Sequence, residues 1–221
     1  MPNTLPIVQE FDQPWKTGRV SEQTPSTSVK RGRPGYDRDQ ILQVAVALFI
    51  EQGYDATSVS QLAERLGLAK SALYHHFASK EELLSLALEQ ALGGLEAVLE
   101  TRDATTGTAA QRLAAVLHGA VRVLSARLPA VTLLLRVRGN SDTERAALAR
   151  RRAFDRKVTE LVRAAQDEGS VRADIDASVA TRLVFGMVNS LIEWYRPTGP
   201  EGADQLADDV LAVALDGLRT R

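Results

Sequence analysis

The sequence predicts an all-α protein, with a small three-helix head on a larger helical bundle. Three observations support that class. From residue 38 onward, apolar residues recur at i, i+3, i+4 and i+7 in one segment after another. No segment sustains the period-two alternation of a half-buried strand. Alanine and leucine are abundant while aromatic residues make up only 5% of the chain, a balance that favours helix over strand. At 221 residues, 44% hydrophobic and 25% charged, the chain is long enough to bury a sizeable core.

Residues 1–36 read as a flexible arm: five prolines, the polar tract "SEQTPSTS" and no helical period. The arm ends in "KRGRPG", which groups Lys30, Arg31 and Arg33. Such a cluster is either a solvated tail or an arm that enters a DNA minor groove beside a DNA-reading helix. A helix follows from near Arg38, with Ile41, Leu42, Ala45, Val46, Leu48 and Phe49 on one stripe, and Gly53 stops it. Thr57 or Ser58 can cap the next helix, whose apolar face is Val59, Leu62, Ala63 and Leu66. Gly67 breaks that helix, and a turn of four residues leads to a short helix around Ser71 to His76. Two short helices joined by a glycine-containing turn describe a helix-turn-helix. Ser79, with Glu82 at capping-box spacing, opens a long helix to about Glu100, in which Gly93 and Gly94 favour a bend. "TRDATTGT" reads as a loop, and helices follow at about 108–127, 129–138, 142–168, 175–195 and 203–219. The expected organisation is an arm over 1–36, a helix-turn-helix domain over 37–82 and a ligand-binding and dimerisation domain over 83–221.

Composition excludes several classes of chemistry. There are no cysteines, hence no disulfide or thiolate site. No run of 18 apolar residues occurs and the first twenty residues lack a basic start followed by an apolar core, so neither a membrane partner nor a secretory signal is expected. A cytoplasmic protein fits these features. The formal net charge of −1 means that an anionic partner must be met by a local basic patch. The adjacent His75 and His76 point about 100° apart on a helix, so one ion does not reach both; metal-binding helical pairs sit at i, i+3 or i, i+4. With no G-x-S-x-G elbow and no glycine-rich phosphate loop, neither catalysis nor a cofactor is expected.

A DNA-reading surface accounts for more residues at once. Lys70, Ser71, Ala72, Tyr74 and His75 lie on the early or outward part of the short helix, with Leu73 and Phe77 facing inward. Lys80, and Thr57 and Ser58 at the start of the preceding helix, are positioned to meet phosphates. Residues 38–84, including "LFIEQGYDATSV", "LAERLGLAKSALYHHF" and "SKEELL", closely resemble the N-terminal domain of TetR/AcrR-family transcriptional regulators. The resemblance covers about a fifth of the chain. It implies an all-helical homodimer that binds a palindromic double-stranded operator, usually as a repressor, and is released by a small ligand. It also implies DNA contacts at Thr57, Lys70, Ser71, Ala72, Tyr74, His75 and Lys80, and leaves His76 without a clear role.

By the same resemblance the last two helices pair with their dimer mates in a four-helix bundle. The wide apolar faces of Leu183, Val184, Met187, Val188, Leu191 and Ile192, and of Leu206, Val210, Leu211, Val213, Ala214 and Leu218, agree with that, although part of each must be intrachain core. A ligand cavity is expected between the middle helices, with Leu117, Val121, Leu124, Leu134, Leu135, Phe154, Phe185 and Trp194 as lining candidates and plain core as the alternative for each. His118, alone on an apolar helix, is either a satisfied core residue or a ligand contact. Arg122, Arg136 and Arg138 are placed near the mouth as holders of an acid or phosphate. The helix end "WYRP" is similar to that of regulators sensing acyl-CoA thioesters, which points to an acyl-CoA or another hydrophobic effector. A helical enzyme and a protein-interaction module remain the rival classes.

Overall fold

The computed structural model describes residues 37–218. The basic arm, with Arg31 and Arg33, lies outside the described residues. Ten helices follow one another among the described residues: α1 (Arg38–Gln52), α2 (Val59–Leu66), α3 (Lys70–His76), α4 (Lys80–Leu99), α5 (Arg102–Thr105), α6 (Ala109–Ala126), α7 (Leu128–Arg136), α8 (Asp142–Asp167), α9 (Ala177–Trp194) and α10 (Ala203–Leu218). No strand occurs among them, and no single helix is long and apolar enough to cross a membrane.

Local chemistry sets the boundaries. Asp37, Ser58 and Thr108 each accept from the N–H three residues on, and Gln40, Gln61 and Gln111 reach back to complete capping boxes. Ser58 is therefore the cap of α2. Gly67, in the left-handed conformation with φ 63°, closes that helix. At α4 the expected capping box is only half formed. Ser79 accepts from the Glu82 N–H, but the Glu82 carboxylate turns to the Ala78 N–H (2.6 Å) and to Arg38 (2.9 Å). It thereby ties α4 to α1, and those bonds hold its carboxyl below the usual carboxylate range.

One expectation is corrected. The segment read as a loop after α4 contains the short helix α5, capped by Thr101 and anchored by the buried Ala104. Helix α4 runs unbroken through its glycine pair. Close packing explains Gly94: a Cβ there would lie 2.9 Å from Val123 Cγ1 of α6. On the facing helix a Cβ at Gly119 would lie 2.5 Å from Val98 Cγ1. These two positions let α4 and α6 cross closely, as small residues do wherever helix backbones approach.

The head packs its inward face onto α4. Ile41, Ala45, Phe49, Leu62, Leu73 and Phe77 are buried, and the same core continues through Leu84, Leu88 and Leu92 into Leu134 of α7 and Leu191 of α9. A second cluster joins α6, α8, α9 and α10 through Leu113, Leu117, Phe154, Val158 and Val184. Between α7 and α8, the loop from Val137 to Ser141 is held by Glu144. That carboxylate is only 3% exposed and accepts from the backbone N–H groups of Arg138 (3.1 Å), Gly139 (2.7 Å) and Asn140 (2.8 Å). The loop and the helices around it brace the head: Asn140 donates to Asp55 (2.9 Å), Thr143 to Glu81 (2.6 Å) and Arg136 to the Ile50 carbonyl (2.8 Å).

Candidate nucleic-acid interface and ligand cavity

The short helix α3 rests on its apolar underside. Leu73 and Phe77 are buried, while Lys70, Ser71, Tyr74 and His75 are exposed and Ala72 and His76 are half-buried. Tyr74 is 50% exposed. Arg38 stacks over the face of the Phe77 ring, 4.5 Å from its centre. Among the described residues no group of three His, Asp or Glu side chains is placed to hold a metal ion.

Two of the expected phosphate-facing side chains point elsewhere. Thr57 is 1% exposed; its hydroxyl donates to the Gly53 carbonyl at 2.8 Å and lies 3.4 Å from that of Leu48. It closes the turn between α1 and α2 rather than reaching outward. Lys80 is half-buried, with its ammonium donating to the carbonyls of Tyr54 (2.8 Å) and Thr57 (2.9 Å) and lying 4.2 Å from the Tyr54 ring centre. Tyr54 meets Phe49 edge to face at 5.1 Å, and burial pushes its phenol pKa up, with the charges of Glu81 and Asp55 adding to the shift. Lys80 is thus the brace of the turn that presents α2 and α3. Ser58 is exposed, but its hydroxyl and N–H are both engaged in its capping box.

The middle of the bundle holds a narrow apolar slot. Leu124, Leu134, Leu135, Phe154 and Phe185 line it, joined by Leu95 of α4 and by Val131 and Val188. Phe154 and Phe185 meet edge to face at 5.6 Å. The slot has a free volume of about 30 Å³, room for roughly one water. The other expected lining residues lie elsewhere. Leu117 and Val121 are fully buried core. Trp194, at the end of α9, is 52% exposed. His118 is half-buried, with Nε2 3.6 Å from the Asp208 carboxylate of α10. The arginines expected at the mouth are also elsewhere. Arg122 pairs with Asp204 at 3.2 Å, Arg136 binds the Ile50 carbonyl, and Arg138 lies with Arg136 in a groove beside Tyr54.

The slot adjoins α8 and α9, where Arg151, Asp155, Phe185 and Asn189 line both the slot and an open groove of about 580 Å³. Burial pushes the Asp155 carboxyl up, while Arg151 and Arg182 pull it back. Four large apolar side chains on α9 and α10 face solvent: Val179, Leu183 (64% exposed), Trp194 and Val213. Gly186, on the same helix, has open space where a Cβ would be. Ala214, by contrast, is buried within the chain.

Residues 41–87 match the family described as bacterial regulatory proteins of the tetR family, and residues 106–218, half of the chain, match the tetracyclin repressor-like C-terminal domain. The chain is a TetR-family transcriptional regulator. As such it is a DNA-binding regulator, not an enzyme. This regulator is 30% identical to the HTH-type transcriptional repressor KstR2 of Rhodococcus jostii over 201 residues, 87% of this chain and 94% of that one. Among solved structures it is similar to SCO3833 of Streptomyces coelicolor, a TetR-family member (50% identity, TM-score 0.77, covering 86% of this chain and 94% of that one). It is also similar to AibR, solved in complex with isovaleryl coenzyme A and operator DNA (25% identity, TM-score 0.65, covering 80% and 96%).

Proposed function

We propose that this regulator is a ligand-responsive repressor that acts in the cytoplasm and binds a palindromic operator as a homodimer. An apolar or acyl-type effector releases it. The observation that carries the reading is the wall of the slot: Leu95 on α4, the helix on which the head packs, stands beside Phe154 and Phe185. With room for about one water, the slot must widen to admit an effector, and α4 is among the helices that part. An effector that binds the widened state more tightly lowers operator affinity by that difference. AibR, a neighbour in fold with both an acyl-coenzyme A and operator DNA bound, supports both halves of the reading.

Within it, residues 37–82 form the DNA-reading domain and 83–221 the effector and dimer domain. Lys70, Ser71, Ala72, Tyr74 and His75 meet the major groove, Ser58 lies beside a phosphate, and Arg31 and Arg33 reach the minor groove. Two copies of α3 must then stand about one DNA turn apart, ~34 Å. Mobility-shift titration against the DNA upstream of the protein's own coding region tests this. The expected result is a specific, salt-sensitive complex that decanoyl thioesters dissociate. Equal affinity for unrelated DNA at every salt concentration would overturn it.

The homodimer is assigned to the exposed apolar strip of α9 and α10. Leu183→Glu places a charge in the middle of that strip and is expected to give a monomer in sedimentation velocity, with helical content unchanged. A dimer of wild-type stability would remove the strip from the interface.

A further inference from the structure

The groove that the slot adjoins is lined by five arginines from two helices: Arg151, Arg152, Arg156 and Arg163 of α8 and Arg182 of α9. Only two acids, Asp155 and Glu160, line it with them. Several arginines elsewhere among the described residues are matched by acids: Arg150 binds Glu89 and Glu96, Arg65 binds Glu51, and Arg172 binds Asp174. None of the five groove arginines makes a hydrogen bond or ion pair among the described residues. An unmatched cluster repels itself, and at a net charge of −1 for the whole chain it is a local excess rather than part of a basic surface. Thr159, Ser178 and Asn189 add uncharged hydrogen-bonding groups to the same walls. Guanidinium forks on a floor of hydroxyls and amides suit phosphate, which accepts several such bonds at once.

We propose that the groove between α8 and α9 binds the multiply phosphorylated head of an effector whose apolar tail enters the adjoining slot, the chemistry of an acyl-coenzyme A thioester. This rests on the slot being the effector site. The shared walls give the geometry: Arg151, Asp155, Phe185 and Asn189 line both spaces, so a ligand that parts these side chains leaves the slot directly among the arginines. The groove, at about 580 Å³, is of the size of a cavity that takes a drug-sized group, whereas the slot alone is too small for any head group. A neutral hydrophobic effector would leave the five charges unused. The proposal therefore separates a phosphorylated thioester from a bare hydrophobe.

Calorimetric titration of the full-length protein with decanoyl-coenzyme A and with decanoyl-N-acetylcysteamine, which carries the same thioester without phosphates, tests it. The phosphorylated ligand is expected to bind at least tenfold more tightly, with an affinity that falls as salt rises. In an Arg156→Ser/Arg182→Ser double variant, whose altered residues do not line the slot, that preference should collapse to less than about threefold through loss of the phosphorylated ligand's affinity. The salt dependence of the wild-type protein supplies the same readout should the variant fail to fold. Equal, salt-independent binding of the two ligands would overturn the groove assignment and leave the apolar effector standing. If neither ligand binds, both assignments fall.

Discussion

Glu144→Ala is expected to lower the free energy of unfolding by about 3 kcal/mol or more, read as a lower urea midpoint. The carboxylate is buried and accepts from three consecutive backbone N–H groups that have no helical partner. The three bonds are only part-buried, so each donor left without its acceptor costs toward the low end of about 1–3 kcal/mol. Glutamine keeps the volume but offers a single acceptor oxygen, so Glu144→Gln is expected to fall between alanine and wild type. The loss should extend beyond the loop. Asn140 reaches Asp55 from this loop, so freeing the loop releases one of the ties that brace the head. Operator affinity at a temperature where the variant is still folded is therefore expected to drop as well. A loss below about 1 kcal/mol would mean that water replaces the carboxylate at all three amides.

The second large effect is on DNA. Tyr74→Ala is expected to weaken operator binding about 10- to 100-fold, the range for removing one base-edge contact. Stability should change by no more than about 0.5 kcal/mol, because the ring is half exposed and packs on little. Lys80→Ala should show the opposite balance. Its ammonium holds two carbonyls and an aromatic face, and loss of a charge-assisted bond costs about 1.5–3 kcal/mol. It should therefore lower the melting temperature first and DNA affinity through the loosened turn. If Lys80→Ala left stability untouched while abolishing binding, Lys80 would be a phosphate contact and not a brace. Measuring both variants for melting and for operator affinity separates the two roles.

The helices were legible because their signals are local. Capping residues, glycine stops and apolar stripes all lie within a turn or two of what they define, and the starts of α1, α2 and α4 fall where those signals stand. The inward face of α3 followed from the spacing of Leu73 and Phe77 alone. What escaped the sequence reading depends on where side chains from distant segments end up. Thr57 looks like a cap in sequence, yet the carbonyls of Gly53 and Leu48 draw its hydroxyl inward. Lys80 looks free, yet the turn at Tyr54 lies within reach of its ammonium. Gly119 carries no local turn signal, and its role appears only once Val98 is packed against it. The arginine groove had a partial signal in "RRRAFDR" on α8. Its meaning depends on Arg182 of α9 and on the excess of arginines over the two acids, Asp155 and Glu160, in the same groove, which only the packed helices reveal.

The close crossing of α4 over α6 also fixes how movement is geared. Val123 fills the space above Gly94 and Val98 fills that above Gly119, so a slide of α4 at this point would meet these side chains, whereas a pivot about it would not. Leu95, the α4 residue in the slot, sits one position from this fulcrum. Lys80, at the other end, is 14 residues from Gly94, about 21 Å along the helix axis at 1.5 Å per residue. A tilt of about 5° about the crossing, too small to break the helix, carries Lys80 and the head it braces through roughly 2 Å by that same arm length.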